Sequence, residues 1–331
     1  MEGFLGRNAR QIGLSLLIMA QAPFSTSAVH AAQHGSVLAV PGWTLRFGDD
    51  FNGTAGTPPS PADWKVALGH GEPGMPSGWN WGTGEVEAYS ADPSNLSVDG
   101  KGHLRITPQR NAAGEWTSAR IFTARDDFLA PAGGMLRIEA RIRLPDVFDA
   151  AARGYWPAFW ALGSSFRTVR NWPHAGEIDI LENVNGMNTV WGTLHCGTYP
   201  NGPCNEPSGI SGRIDCALPE CRTAFHTYGF EWDRSKQPEQ LRWYLDGREF
   251  HSISQSRLPA ATWEGMTSHS GFFMLLNVAI GGYFVSNEAG VHTPTPDTEP
   301  GHAMVVDYVA VWTRRDGPKK PFPLLRSVAP E

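Results

Sequence analysis

Three carboxylates lie close together in the middle of the chain. Residues 176–183 read GEIDILEN, so that Glu177, Asp179 and Glu182 are interleaved with isoleucine and leucine. Carboxylates within an apolar segment are costly to bury, which indicates that they line a wet groove. A retaining glycosidase needs two carboxyls about 5–5.5 Å apart, one to attack the sugar and one to protonate the leaving oxygen. The segment therefore predicts this chemistry.

The spacing of the three carboxylates requires an irregular strand. Glu177 and Asp179 share one face of a strand, whereas strict alternation would send Glu182 to the other face. A β-bulge near Ile180 and Leu181 sets two residues against one and returns Glu182 to the carboxylate face. The sequence therefore predicts a bulge at this point.

The three groups are also expected to shape one another's protonation. Negative charge on Glu177 and Asp179 favours a proton on their neighbour. Glu182 is then the acid while Glu177 attacks. Asp179 is expected to share a proton or a hydrogen bond with the nucleophile.

The surrounding sequence is typical of many short strands. Apolar and charged residues alternate over 134–144, which predicts a half-buried strand. The segment 241–250 alternates around Asp246-Gly247, which predicts a β-hairpin. The apolar segments 272–280 and 304–312 predict strands buried in a sheet. We find no long segment with helical periodicity, so an all-β sandwich or jelly roll is expected.

Composition narrows the class of ligand. The net charge is −6 and the basic residues are scattered, which argues against a nucleic-acid partner. No segment is long and apolar enough to predict a membrane span. The 13 tryptophans include several in loop-like, glycine-rich stretches, where they pack in a core or stack on sugar rings. An extended, weakly charged substrate suits this surface.

The N-terminus is typical of a secretory signal peptide, with basic residues, an apolar stretch and then small residues. Cleavage is expected after Ala28 or Ala31. We predict a signal peptide over 1–31 and one catalytic domain over 32–331, with its core at about 41–315 and a frayed tail from Asp316. The mature protein is expected to be secreted, extracellular or periplasmic, and monomeric.

Four cysteines lie close together, which in an exported chain predicts disulfides. Zinc is the alternative, but the usual CxxC or HxxxH spacing is absent. Of three possible connectivities, we favour the one that closes two short loops, Cys196–Cys204 with Cys216–Cys221.

Residues 177–182 match the signature E-[hydrophobic]-D-x-x-E, through which the chain resembles glycoside hydrolase family 16, in its laminarinase-like (endo-β-1,3-glucanase) branch. The resemblance implies a concanavalin-like, two-sheet antiparallel β-jelly roll with a concave substrate cleft. The further matching segments cover nearly all of the mature chain: WTSARI at 116–121, EARIRLP at 139–145, YWPAFWALG at 155–163, HTYGFEWD at 226–233, LRWYLDG at 241–247, NVAIGG at 277–282 and VDYVAVW at 306–312.

The resemblance also implies roles for particular residues. Glu177 would be the nucleophile, Glu182 the acid/base and Asp179 the assisting carboxylate. The chain departs from the family at 81–89, WGTGEVEAY, where an asparagine usually precedes the N-terminal cleft strand. The cysteine-bearing stretch would be an elaborated loop on the aglycone side. The implied substrate-binding residues are Trp156, Trp160, Trp172 and His195.

No cofactor is expected for catalysis, but many relatives bind a structural calcium ion away from the cleft. Asp50, Gly102 and Asp307 resemble the positions that supply its oxygen ligands. Asp307 lies in an otherwise apolar strand and needs a partner. A hydrogen bond to the backbone is the alternative to calcium.

The resulting hypothesis is an endo-acting, retaining hydrolase of β-1,3- or mixed β-1,3/1,4-glucan. A β-galactan hydrolase or a transglycosylase on the same scaffold is the first alternative, because the signature does not select the sugar or the acceptor. A non-catalytic glucan-binding module is the second. The presence of both Glu177 and Glu182 argues against that module.

Overall fold

The computed structural model describes residues 38–72, 78–315 and 322–325. The predicted signal peptide lies outside the described residues. The strands are β1 (Thr44–Asp49), β2 (Trp64–Val66), β3 (Ala88–Tyr89), β4 (Leu96–Val98), β5 (Leu104–Ile106), β6 (Gln109–Arg110), β7 (Trp116–Ser118), β8 (Arg120–Thr123), β9 (Met135–Arg143), β10 (Tyr155–Gly163), β11 (Glu177–Glu182), β12 (Thr189–His195), β13 (Ile210–Asp215), β14 (His226–Asp233), β15 (Gln240–Leu245), β16 (Arg248–Ser254), β17 (Phe272–Ile280) and β18 (Met304–Arg314). The α-helices are α1 (Phe166–Val169), α2 (Ala260–Thr267) and α3 (Tyr283–Ala289).

Two antiparallel sheets form the sandwich. The front sheet has the order β13-β12-β11-β10-β17-β8-β2. The back sheet has the order β16-β15-β14-β9-β18-β5-β4, with β1 also paired to β18. A small third sheet joins β3, β7 and β6. The predicted jelly-roll sandwich is confirmed, and among the described residues no helix is long and apolar enough to cross a membrane.

The core lies between the two sheets. β9 contributes Ile138 and Ala140 from the back sheet, and β17 contributes Met274 and Leu276 from the front sheet. Every residue of β17 is buried, and only the last residue of β18 is not, as the apolar segments predict. The predicted hairpin joins β15 to β16, with positive φ at both Asp246 and Gly247.

The predicted bulge is present in β11. Pairing with β12 shifts register between Asp179 and Glu182, and pairing with β10 shifts at the same level. Ile180 and Leu181 are consecutive, yet both lie in the core between the sheets. Because two neighbouring residues point inward, Glu182 returns to the outer face beside Asp179.

Both predicted disulfides are confirmed. Cys196–Cys204 joins the end of β12 to the following loop, and Cys216–Cys221 closes a shorter loop after β13. The Cα atoms are 5.4 Å apart in the first pair and 5.7 Å in the second, within the usual range for a disulfide.

The prediction that β9 is half-buried is wrong, because both faces of its first six residues are covered. Arg137 and Glu139 are 2% and 0% exposed. Arg137 forms ion pairs with Glu139 and Glu231, and its guanidinium lies 4.2 Å from the ring centroid of Phe322. Phe322 belongs to the tail expected to be frayed, so that expectation fails for this residue.

This buried ion pair predicts a strong effect on stability. Arg137→Met should lower the free energy of unfolding by about 3–5 kcal/mol, because the buried Glu139 loses its cation and Glu231 keeps only Arg242. Urea denaturation would measure the change. The exposed Arg248→Met is the control, and a loss no larger than that of the control would contradict the assignment.

Candidate active site

The three carboxylates of β11 share the outer face of the front sheet. Glu177, Asp179 and Glu182 point away from the core, while the isoleucines and leucine between them pack into it. One ligand atom from each of Glu177, Asp179 and His195 lies within 4.8 Å of the other two. His195 ends β12 and pairs in register with Glu177. The geometry thus brings four of the predicted residues together.

Both oxygens of Glu182 are oriented by neighbouring strands. Trp156 on β10 donates its indole N–H to Oε1 over 3.0 Å. Thr193 on β12 donates its hydroxyl to Oε2 over 3.3 Å. Each oxygen of Glu182 therefore accepts one hydrogen bond.

Glu177 lies beside an aromatic and a basic group. The side chain of Trp172 favours the ionised form of Glu177 and lowers its pKa relative to burial alone. The Nε2 atom of His195 lies 4.0 Å from Glu177 Oε1 and 3.4 Å from Asp179 Oδ2. The Trp172 and His195 rings are 5.8 Å apart between centroids. Trp172 therefore contacts both the nucleophile candidate and the histidine.

Trp160 is fixed by a separate set of contacts. Its indole N–H donates to Asn277 Oδ1 over 2.8 Å, and Asn277 in turn donates to the hydroxyl of Tyr89. The guanidinium of Arg120 lies between Trp160 and Trp81, 4.8 and 4.5 Å from their ring centroids. Trp160 also pairs in register with Asp179 across β10 and β11. A partly exposed indole is thus held next to the carboxylates.

Burial dominates the protonation of the site. It raises the pKa of Glu177 to about 8 and that of Glu182 to about 8, and repulsion from Asp179 adds to both shifts. His195 opposes these shifts through its positive charge. The same neighbours shift the pKa of both glutamates to a similar extent, so the electrostatics alone do not distinguish the acid from the nucleophile.

Sequence reasoning missed several residues of the site. Thr193, Asn277 and Arg120 contact it, and the last two lie in segments that resemble the family, so that resemblance was a usable signal. Glu206 also reaches the site, with Oε2 2.6 Å from His195 Nδ1. It lies in a loop whose path no local pattern predicts.

The suggested calcium residues lie away from the carboxylates, on the back sheet. Asp50 directly follows β1, and Gly102 adjoins it, since a Cβ at Gly102 would lie 3.6 Å from the Asp50 carbonyl oxygen. Asp307 is buried, and its Oδ2 accepts a 2.6 Å ion pair from Arg141. Oxygen donors suit calcium, although Arg141 already balances the charge of Asp307.

A family model and a solved structure both match the chain. A family model described as "XgeA-like, catalytic GH16 domain" matches residues 146–210, which include β11 and His195. The chain is similar to an endo-1,3-beta-glucanase structure from Streptomyces sioyaensis, with 51% identity and a TM-score of 0.80, over 83% of this chain and 98% of that one.

Two curated relatives match at similar length. A beta-glucanase of Rhodothermus marinus is 33% identical over 82% of this chain and 86% of its own. A glucan endo-1,3-beta-glucosidase of Cryptopygus antarcticus is 29% identical over 82% of this chain and 92% of its own. Both matches extend well beyond the carboxylate segment.

The raised pKa values predict that the site destabilises the fold at alkaline pH. Both glutamates bind protons more tightly when folded, so their contribution to stability is full below about pH 4.5 and is lost as the pH rises towards 8. Glu177→Gln or Glu182→Gln should therefore raise the free energy of unfolding by about 1–3 kcal/mol at pH 8, with little change at pH 4. Thermal unfolding at both pH values, with the exposed Glu288→Gln as control, would measure this. Equal effects at the two pH values would contradict it.

Proposed function

The chain belongs to glycoside hydrolase family 16, and from that premise we propose that it is an endo-acting, retaining hydrolase of β-1,3- or mixed β-1,3/1,4-glucan. The observation that carries the proposal is the position of Glu177, Asp179 and Glu182 on one outer face, reached through the bulge in β11. This arrangement supplies two carboxyls for a double displacement. The similar endo-1,3-beta-glucanase and beta-glucanase support the substrate class.

In the first step, Glu177 attacks the anomeric carbon while Glu182 transfers its proton to the glycosidic oxygen. The glycosidic bond breaks, and a glycosyl ester forms on Glu177. In the second step, Glu182 takes a proton from water, and the water oxygen attacks the same carbon. The ester bond then breaks, which regenerates Glu177 and releases a product with its original anomeric configuration.

The neighbouring residues prepare these groups. The hydrogen bonds from Trp156 and Thr193 orient Glu182, so that little reorganisation is needed before proton transfer. Asp179 repels negative charge on Glu182 and so favours its protonated form. The cation of His195 stabilises negative charge on Glu177. Both effects act on both glutamates, so the assignment of Glu182 as the acid and Glu177 as the nucleophile rests on the family signature rather than on the charges.

The partly exposed indoles of Trp156, Trp160 and Trp172 are suited to the apolar faces of sugar rings. We propose that they bind the polysaccharide chain. A β-galactan substrate or a sugar acceptor in place of water remains the alternative. The complete carboxylate set argues against a non-catalytic binding module.

We propose that the protein is secreted as a monomer, with residues 1–31 as signal peptide and 32–331 as a single catalytic domain. The two disulfides support an oxidising compartment. We also propose a structural calcium ion, held by the carboxylate of Asp307 and the backbone oxygens of Asp50 and Gly102. Calcium would tie the start of the back sheet to β18 and has no part in the reaction.

The purified protein should release reducing sugar from laminarin or lichenan, with the β-anomer formed first by proton NMR. Glu182→Gln should lower kcat about 10²- to 10⁴-fold, because the proton donor is lost. Glu177→Gln should be at least as damaging, and Glu288→Gln should match the parent. Release only from β-galactan would assign the alternative substrate. Binding without release, or equal turnover by Glu177→Gln and the parent, would overturn the proposed function.

The calcium proposal predicts that 1 mM CaCl₂ raises the Tm by a few degrees over EGTA, since an ion that binds only the folded state stabilises it. Asp307→Asn should reduce this difference. Comparing each variant with itself removes any effect of the substitution on the pairing with Arg141. A calcium effect of the same size in both proteins would place the ion elsewhere, and no effect in the parent would remove it.

A further inference from the structure

Glu206 is a completely buried carboxylate to which the proposed mechanism assigns no role. It lies in the loop between β12 and β13, two residues after Cys204, and its side chain is 0% exposed. The disulfide from Cys204 to Cys196 ties this loop to the end of β12, next to His195. A buried carboxylate needs compensating partners, and its partners lead to the active site.

Both carboxylate oxygens of Glu206 are used. Oε2 lies 2.6 Å from Nδ1 of His195, and Oε1 accepts the backbone N–H of Cys196 over 2.8 Å. The loop also presses on the imidazole, because a Cβ at Gly209 would lie 2.9 Å from His195 Cε1. With the ring of Trp172 as a further neighbour, the imidazole is held from several directions.

These contacts decide which way the histidine presents its protons. A carboxylate accepts and does not donate, so Nδ1 of His195 carries a hydrogen towards Glu206. Nε2 then faces Asp179 and Glu177, at 3.4 and 4.0 Å. A carboxylate behind one ring nitrogen commonly fixes the orientation and the charge of the other.

The charge of His195 depends on the same contacts. Burial disfavours the positive charge and lowers the pKa of His195. The interactions with Asp179 and Glu206 outweigh burial and raise that pKa well above its usual value. The resulting positive charge lowers the pKa of Glu177 and of Glu182 relative to burial alone. The charge on Glu206 is thus connected to the nucleophile through one imidazole.

We propose that Glu206 is a positioning residue for hydrolysis, which holds His195 as a cation with its Nε2 hydrogen directed at Asp179 and Glu177. The positive charge then lies 4.0 Å from Glu177 Oε1, where it favours the ionised form of the nucleophile. This role rests on the proposed function, but the protonation of His195 can be measured without any substrate.

The first experiment is an NMR pH titration of the histidine side chains in ¹⁵N-labelled protein, with His195 assigned by its loss in His195→Gln. In the parent, His195 should remain doubly protonated above neutral pH. In Glu206→Gln it should lose its proton at lower pH, because the amide carries no charge. Glu206→Asp keeps the charge and should restore part of the shift. An unchanged titration in Glu206→Gln would overturn the proposal, whether or not the protein turns over glucan.

The second experiment measures kinetics on the polysaccharide that the parent cleaves. Glu206→Gln should lower kcat about 10- to 100-fold, the scale seen for carboxylate partners of metal-binding histidines, with a smaller change in KM. The acidic limb of the kcat/KM profile should move to higher pH, because Glu177 loses the nearby cation. Glu288→Gln is the matched surface control, and thermal unfolding with disulfide mapping checks the fold.

A double-mutant cycle separates positioning from a structural effect. If Glu206 acts through His195, Glu206→Gln should cost little further activity once His195→Gln is present. Fully additive losses, or a loss in Glu206→Gln without any movement of the pH profile, would show that Glu206 only stabilises the loop. Lack of turnover in the parent would instead overturn the proposed function and leave the NMR result to decide the role of Glu206.

Discussion

Repulsion among three carboxylates on one short strand is the constraint on which the rest of the site depends. Burial on the outer face of the front sheet raises the pKa of Glu177 and of Glu182, and repulsion from Asp179 adds to it. The surrounding strands offset it with a histidine cation and with directed hydrogen bonds from Trp156 and Thr193. The sandwich therefore holds carboxyl groups that repel one another close together. Because they repel one another, one group can be protonated while its neighbour is ionised.

Much of this arrangement could be predicted because it follows from local rules. The parity of positions along a strand required an extra residue between Asp179 and Glu182, and the register shift occurs there. Asp246-Gly247 adopts the positive φ angles that its residue types favour. Short loop closure gave both cysteine pairs correctly. In each case the information lies within a few residues of the feature.

The features that could not be predicted depend on distant parts of the chain. The alternation in β9 indicated that Arg137 faces water, but Phe322 from the C-terminal tail covers it and Glu231 from β14 pairs with it. Glu206 carries no local signal at all, since only the path of the disulfide-bonded loop brings it to His195. Periodicity describes the two faces of a strand, whereas the full fold determines what covers each face.

Because of the bulge in β11, the distance between the carboxyl groups can change only in discrete steps when residues are inserted or deleted. On one face of a regular strand, side chains recur only about every 6.6 Å, twice the rise per residue. Glu182 lies five positions after Glu177, an odd interval that only the extra residue at Ile180 reconciles with a shared face. Loss or gain of one residue between the two glutamates would therefore move one carboxyl to the opposite face of the sheet rather than shift it slightly. Retaining and inverting mechanisms require carboxyl–carboxyl distances that differ from each other by a few ångströms. On this strand, inserting or deleting single residues therefore cannot change the carboxyl–carboxyl distance gradually from the retaining range to the inverting range.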